Sequence, residues 1–291
     1  MIKILKTLID IFLDALKDTL LMIPFLFGVY ILIEYMEHAS SNKIEKVFKK
    51  MGPFGPIGGG VAGSIPQCGI SAAAANLYSG KVISLGTIIA VFIATSDEAI
   101  PMMIANPEKI SVLWKFIVIK IAVAVVAGIL VDIIYKLFIR NKPSKKEDHF
   151  HELCENCGCD EHGILYSAFK HTVNIAIFVF VITLVLNVAI TFIGNDTIAG
   201  VMMSNNFFQP FISALVGFIP NCAASVIITQ LYLEDSILSF GSAIAGLCTT
   251  TGLGLLVLFK TNRKHLKQNL LICGILYVVA VLSGVIINAI G

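Results

Sequence analysis

FGPIGGGVAGSIPQCGISAAAANLY, from Phe54 to Tyr78, returns as FQPFISALVGFIPNCAASVIITQLY, from Phe208 to Tyr232. At an offset of 154, Phe54, Pro56, Gly63, Ile65, Pro66, Cys68, Ser71, Leu77 and Tyr78 recur as Phe208, Pro210, Gly217, Ile219, Pro220, Cys222, Ser225, Leu231 and Tyr232. Upstream the offset is 153, and Ala15, Lys17, Thr19, Phe25 and Phe27 recur as Ala168, Lys170, Thr172, Phe178 and Phe180. The chain contains one unit twice, and the repeated segment is apolar yet broken by glycine and proline.

Composition says what surrounds that unit. Of 291 residues, 57% are hydrophobic and 14% charged, against about 25% charged in soluble domains. Mean hydropathy is +0.88. One soluble core cannot hide so much apolar surface, so the chain reads as an integral membrane protein. A net charge of +2 gives no reason to expect nucleic acid as a partner. The N-terminus carries Asp10, Asp14 and Asp18 in its apolar pattern and has no small-residue cleavage site, unlike a signal peptide. In such a chain, a broken apolar segment at matching positions of two halves points to a substrate site near the bilayer midplane.

Six segments are apolar over about the 20 residues a span needs: Thr19–Met36, Val82–Ala105, Val112–Ile139, Thr172–Ile193, Ile237–Phe259 and Asn269–Ala289. Three loops carry four basic residues each, Lys43–Lys50, Arg140–Lys146 and Lys260–Lys267, while Gly194–Asn206 carries none. Basic loops stay in the cytoplasm. The chain between Gly194–Asn206 and Lys260–Lys267 must then cross an odd number of times, yet it holds one clean span and one broken segment. The broken segment therefore reads as a hairpin that enters and leaves on one side. Such backbone is tolerated at depth where protein or a water-filled cavity surrounds it. Two ordinary kinked spans are the alternative. Three crossings plus a hairpin in each half leave the two halves inverted relative to each other. The fold expected is all-α and polytopic, with about ten helical segments. Residues 1–18 form an amphipathic N-terminal helix with Ile2, Leu5, Ile9, Phe12 and Leu16 on one face, or a plain extension of the first span. Residues 19–140 form the first membrane repeat, 141–163 a cytoplasmic loop, and 164–291 the second repeat.

Three groups of residues carry chemistry. The loop reads His149-Phe-His151-Glu-Leu-Cys154-Glu-Asn-Cys157-Gly-Cys159-Asp-Glu-His162. Thiolate and imidazole suit zinc and other soft or borderline ions, and Cys154, Cys157, Cys159 and His162 can wrap one metal. A solvated linker is the plainer alternative. Second, Thr95-Ser96-Asp97-Glu98 places two carboxylates inside an apolar span, where charge is costly and marks ion or proton pathways. Its counterpart Thr249-Thr250-Thr251-Gly252 keeps hydroxyls and loses the charge. Third, the hairpin tips offer Ser64, Gln67, Cys68, Ser71 and Asn76 in one half and Asn221, Cys222, Ser225, Thr229 and Gln230 in the other. Proline two residues before each cysteine interrupts the helix and frees carbonyls and a helix N-terminus for a ligand. Inverted halves would bring Cys68 and Cys222 together at the midplane. Cys248 and Cys273 read as packing; Glu34, Asn174, Asn187 and Asp132 read as interhelical hydrogen-bonding groups.

With its inverted halves, paired Ile-Pro-x-Cys elements, Thr-Ser-Asp-Glu stretch and His/Cys/acid-rich central loop, the chain resembles the ten-helix heavy-metal exporters. Their members are often labelled arsenic efflux proteins or manganese transporters. The resemblance covers Thr19 to the C-terminus and reaches ten helices by counting each hairpin as two. It implies a secondary transporter of the cytoplasmic membrane that exports a toxic metal or metalloid, and no enzymatic activity. Asp97 and Glu98 favour a hard ion such as manganese; Cys68, Cys222, Met102 and Met103 favour arsenite, zinc or cadmium. No P-loop is present, so the expected coupling ion is the proton, with Asp97 or Glu98 as carrier. The expected mechanism is alternating access by rocking of the two halves. A transition-metal ion is expected as substrate and loop ligand, with no tightly bound cofactor; a homodimer is compatible. Two rival readings are a transmembrane thiol-disulfide carrier using Cys68 and Cys222, and an organic-anion transporter.

Overall fold

A computed structural model describes residues 2–38, 54–95, 99–104, 110–139, 164–193, 207–233 and 237–290, and every regular element among them is helical. In chain order they are α1 (Ile2–His38), α2 (Gly55–Gly63), α3 (Cys68–Ser79), α4 (Leu85–Ala94), α5 (Ala99–Ile104), α6 (Ile110–Ile139), α7 (Ile164–Ile193), α8 (Gln209–Gly217), α9 (Cys222–Leu233), α10 (Phe240–Thr249), α11 (Gly254–Thr261) and α12 (Leu266–Ile290). A 3-10 turn, Arg263–His265, joins the last two. The duplication is visible in the lengths: 9 residues in α2 and α8, 12 in α3 and α9, 10 in α4 and α10.

The repeated residues explain the repeated boundaries. Pro56 and Pro210 sit in the first turns of α2 and α8, where a missing N–H costs nothing. Pro66 and Pro220 lie just past the other ends. Across each, the following N–H bonds two residues back, Gln67 to the Ile65 carbonyl at 2.8 Å and Asn221 to the Ile219 carbonyl at 2.7 Å. That is a γ-turn, whose central φ a proline already holds. Ser84 and Ser239 cap α4 and α10, accepting from the Thr87 and Ser242 amides.

Two spans read from the sequence as continuous are each interrupted. The Val82–Ala105 segment stops at the end of α4 and resumes at α5; the Ile237–Phe259 segment stops at the end of α10 and resumes at α11. Threonine hydroxyls turn back on the backbone at both stops. Thr95 Oγ1 donates to the Val91 carbonyl, Thr249 Oγ1 to Gly246 and Thr250 Oγ1 to Leu247, at 2.8–3.0 Å. The chain then leaves helical geometry, with ψ of 130° at Thr95 and 88° at Thr250, and Gly252 takes φ 53°. Hydropathy alone misses such stops, because threonine is compatible with an apolar span while its hydroxyl competes for helix carbonyls.

The segments α4 and α10 are buried on every side. By contrast α6, α7 and α12 expose long rows of apolar side chains, among them Trp114, Val118, Val126, Ile177, Val181, Val278 and Leu282. A core of broken helices inside a shell with a greasy outer face is what a lipid solvent requires. The N-terminal segment is continuous with the first span in α1. Its buried stripe is Ile11, Ala15, Thr19, Met22, Leu26 and Tyr30, while Ile9, Phe12 and Leu16 face outward. The apolar face read from the sequence is the lipid-facing side, and the small residues Ala15 and Thr19 face the neighbouring helix, as membrane packing favours.

α6 and α12 run antiparallel to α4 and α10 and close on them through glycines. A Cβ on Gly86 would collide with the Gly128 carbonyl, and one on Gly241 with the Gly284 carbonyl. Next to each pair a side chain caps the inner helix. Asp132 accepts from Gly86 N at 2.8 Å and from Ser84 Oγ at 2.6 Å; Asn288 accepts from Gly241 N at 2.9 Å. Asp132 and Asn288 are repeat equivalents. Asp132→Ala leaves the Gly86 amide without its acceptor and is expected to lower stability by about 1–3 kcal/mol. Asp132→Asn, which copies the second half, is expected to lose less than half of that. Thermal melting in detergent measures both, and equal losses would contradict the shared capping role.

The halves are inverted and interleaved. Phe12 of α1 meets Phe180 of α7, and Tyr30 meets His171, with ring centroids 5.5 and 5.3 Å apart, so these equivalent helices pack antiparallel. α3 of the first half lies along α11 of the second: Gly254 abuts Ser71, and Ser79 Oγ is 2.7 Å from Thr261 Oγ1.

Candidate functional site

Ten-residue α4 and α10 span about 15 Å each, half of the roughly 30 Å hydrocarbon thickness. Their breaks therefore sit at mid-depth when their capped ends sit at the surface. The hairpins stop at the same level. α2 lies alongside α4 in the same direction, with Gly55 beside Thr87 and Gly63 beside Val91 and Ala94. Ser79 and Leu85 are then joined by a short link, which returns α3 to the starting side of α4.

A repeated glycine docks each tip onto a break. A Cβ on Gly63 would lie 2.5 Å from the Val91 carbonyl oxygen and 3.1 Å from Ala94. A Cβ on Gly217 would strike the Gly246 carbonyl and Thr249 Oγ1. Only glycine lets these backbones touch. The result in each half is a Pro-x-Cys tip held against the end of a broken helix.

At the centre is a residue that sequence reasoning passed over. Lys120 of α6 is 2% exposed. Its Nζ donates to the Thr95 carbonyl at 2.5 Å and to the Leu247 carbonyl at 2.6 Å. Those carbonyls lie at the C-terminal ends of α4 and α10, one from each half. Helix C-termini carry partial negative charge and carbonyls lacking intrahelical partners, so an ammonium satisfies both. The Leu247 carbonyl also accepts from Thr250 Oγ1. The repeat equivalent of Lys120, at the offset of 156 that relates Gly128 to Gly284, is Leu276, so the second half has no cation at the matching position. The signal was present in the sequence: a lone lysine amid an apolar span.

The other named residues divide by what they touch. Asn76 is fully buried, accepts from Tyr30 OH at 2.8 Å and donates to the Ala72 carbonyl at 3.0 Å, which ties α3 to α1. Gln67 Nε2 reaches the Leu21 carbonyl of α1 at 3.3 Å. Asn221 accepts from the Ala223 amide at 2.9 Å and donates to Asn187 Oδ1 at 2.5 Å, capping α9 and tying it to α7. Ser71 and Ser225 are buried in the returning helices. Thr249 Oγ1 donates to the Ala214 and Gly246 carbonyls, both at 2.8 Å, so it joins α10 to α8. Thr95, Thr250 and Thr251 line the breaks and are buried. Of the sulfur donors, Met103 and Cys248 are packed in the core. Cys68 and Cys222 are the first residues of α3 and α9; the positions of their side chains lie outside what is described. Ser96, Asp97, Glu98 and the whole stretch His149, His151, Cys154, Cys157, Cys159 and His162 also lie outside the described residues. Among the described residues, no three His, Cys, Asp or Glu side chains gather as a metal site.

Each half thus contributes an outer helix, a two-helix hairpin, a broken inner helix and a second outer helix, five membrane elements with the hairpin counted as two. No curated protein and no solved structure matches the chain. Residues 7–192 and 163–291 match a family described as "Putative, 10TM heavy-metal exporter". The matches cover nearly the whole length, and the chain belongs to this ten-helix heavy-metal exporter family.

Proposed function

We propose that the protein is a proton-coupled secondary transporter that exports a divalent heavy metal, with manganese the first candidate, across the cytoplasmic membrane. The observation that carries this reading is the convergence of two broken helices, one from each half, at mid-depth. In transporters built from inverted repeats, broken helices of this kind form the substrate site. The break of α4 leads directly into Ser96, Asp97 and Glu98, the carboxylates assigned to the ion and to the coupling proton. The opposite break supplies Thr249, Thr250 and backbone oxygens. The tips supply Gln67, Cys68 and Ser71 with Asn76 behind them, and Asn221, Cys222 and Ser225. Thr95, Thr249, Thr250 and Thr251 bring hydroxyl and backbone oxygens to the breaks, while Met103 is packed in the core, which supports a hard ion. The His149–His162 loop captures the metal on the cytoplasmic side, and each hairpin is re-entrant.

The packing bears on how the site opens. Rigid rocking of one sequence half against the other would separate α3 from α11 and pull Leu247 from Lys120. Units drawn from both halves are better candidates for the moving bodies, such as α1, α3, α7 and α11 against α2, α4, α6, α8, α10 and α12.

Flux into proteoliposomes of the purified protein tests the reading, with manganese, zinc, cadmium, cobalt and arsenite, each with and without a pH gradient. The expected result is movement of manganese that dissipates the gradient. Movement of arsenite or cadmium alone would transfer the site to its cysteines. Movement of none of the five would reject the proposal.

A further inference from the structure

We propose that the carbonyl oxygens of Thr95 and Leu247 form a small-cation site whose resident is the Lys120 ammonium, and that a free monovalent cation takes this site when the ammonium is removed. Three observations meet here. First, the Nζ is enclosed: Lys120 lies mid-span and is 2% exposed, so its charge cannot be satisfied by bulk water. Second, the oxygens at 2.5 and 2.6 Å come from the C-terminal ends of two different helices, the backbone environment in which a cation is most favourable. Third, these oxygens are created by the breaks. In an unbroken helix the Thr95 and Leu247 carbonyls would bond to amides four residues on; here the chain turns away and leaves them to a cation.

The arrangement ties the halves together electrostatically. One ammonium neutralises the ends of α4 and α10, which otherwise present like partial charges to each other at low dielectric. Leu276 holds the equivalent place in α12, and among the described residues Lys120 is the cation that reaches both breaks. Carbonyl cages that replace a hydration shell select small ions over bulky ones, so the vacated site should accept sodium, potassium, ammonium or a short alkylammonium and reject N-methylglucamine. It also follows that the native protein carries this cation within itself and has no need of an inorganic one at this place.

The test is thermal melting of full-length wild type, Lys120→Ala and Lys120→Met in detergent, at equal ionic strength in the chlorides of sodium, potassium, ammonium, methylammonium, ethylammonium and N-methylglucamine. In N-methylglucamine chloride both variants are expected to melt at least about 5 °C below wild type. Lys120→Ala should regain about half or more of that loss in one of the small cations, by binding linkage. Lys120→Met fills the space without charge and should regain nothing, and wild type should not respond. Wild-type melting of Lys120→Met would overturn the proposal, as would equal recovery of Lys120→Ala in N-methylglucamine, or recovery in no salt. If neither variant folds in N-methylglucamine chloride, both are extracted in ammonium and ethylammonium salts. Folded Lys120→Ala there supports the site, and its absence from every salt refutes it. Because the readout is stability, its failure would leave the transport reading standing.

Discussion

Gly217→Ala is expected to destabilise the protein by about 3 kcal/mol or more, beyond the usual range for one extra methyl in a packed interior. The methyl has nowhere to go. It would overlap the Gly246 carbonyl, which is backbone, and Thr249 Oγ1, which is held by the Ala214 and Gly246 carbonyls. Relief requires α8 to move off α10, and that separates a hairpin tip from a helix break. Gly58→Ala is the control, because a Cβ there meets nothing within 4 Å. That substitution removes the backbone freedom of a helical glycine and is expected to be neutral or to stabilise by up to about 1 kcal/mol. Folded yield on size exclusion and melting temperature report both. If Gly217→Ala melts with Gly58→Ala, the docking of tip on break is not what holds the site.

Asp97→Asn is expected to lower metal flux by about a hundredfold or more while leaving the fold intact. The change keeps size and removes charge, so it deletes the ion's anionic ligand and the proton's carrier together; even indirect perturbation of a metal site costs about 10- to 100-fold. Cys68→Ser separates the hard and soft readings. With manganese as cargo the hydroxyl should serve nearly as well as the thiol, whereas with arsenite or cadmium flux should vanish. Both variants are compared with wild type in proteoliposomes after their melting temperatures are matched. Wild-type flux in Asp97→Asn would remove the carboxylate from the site.

The duplication, the membrane setting, the broken hairpins and the opposite orientation of the halves were all readable from the chain. Each rests on a one-dimensional signal: residue identity at a fixed offset, apolar run length, proline position and the sidedness of lysine and arginine. The antiparallel contact of α1 with α7 agrees with the inversion inferred from charge. Asp132 and Asn187 were recognised as hydrogen-bonding groups between helices, and both form such bonds. Other things depend on what approaches from elsewhere. The stops at Thr95 and Thr250 were hidden because a threonine in an apolar run is silent until its hydroxyl competes for a carbonyl. The apolar face with Ile9, Phe12 and Leu16 was legible and turns outward, whereas the buried stripe through Ile11, Ala15 and Thr19 depends on which helix packs against α1. Asn76 and Thr249 were named as ligands by type, and their bonds to Tyr30 and to the Ala214 carbonyl had no signal in the sequence. By itself the sequence determined that two inverted copies of one unit cross a membrane, since periodicity, length and charge bias are properties of the chain alone. Only the tertiary structure decided that the two breaks share one lysine, because that depends on carbonyls 152 residues apart, at Thr95 and Leu247, meeting a single ammonium from a third helix.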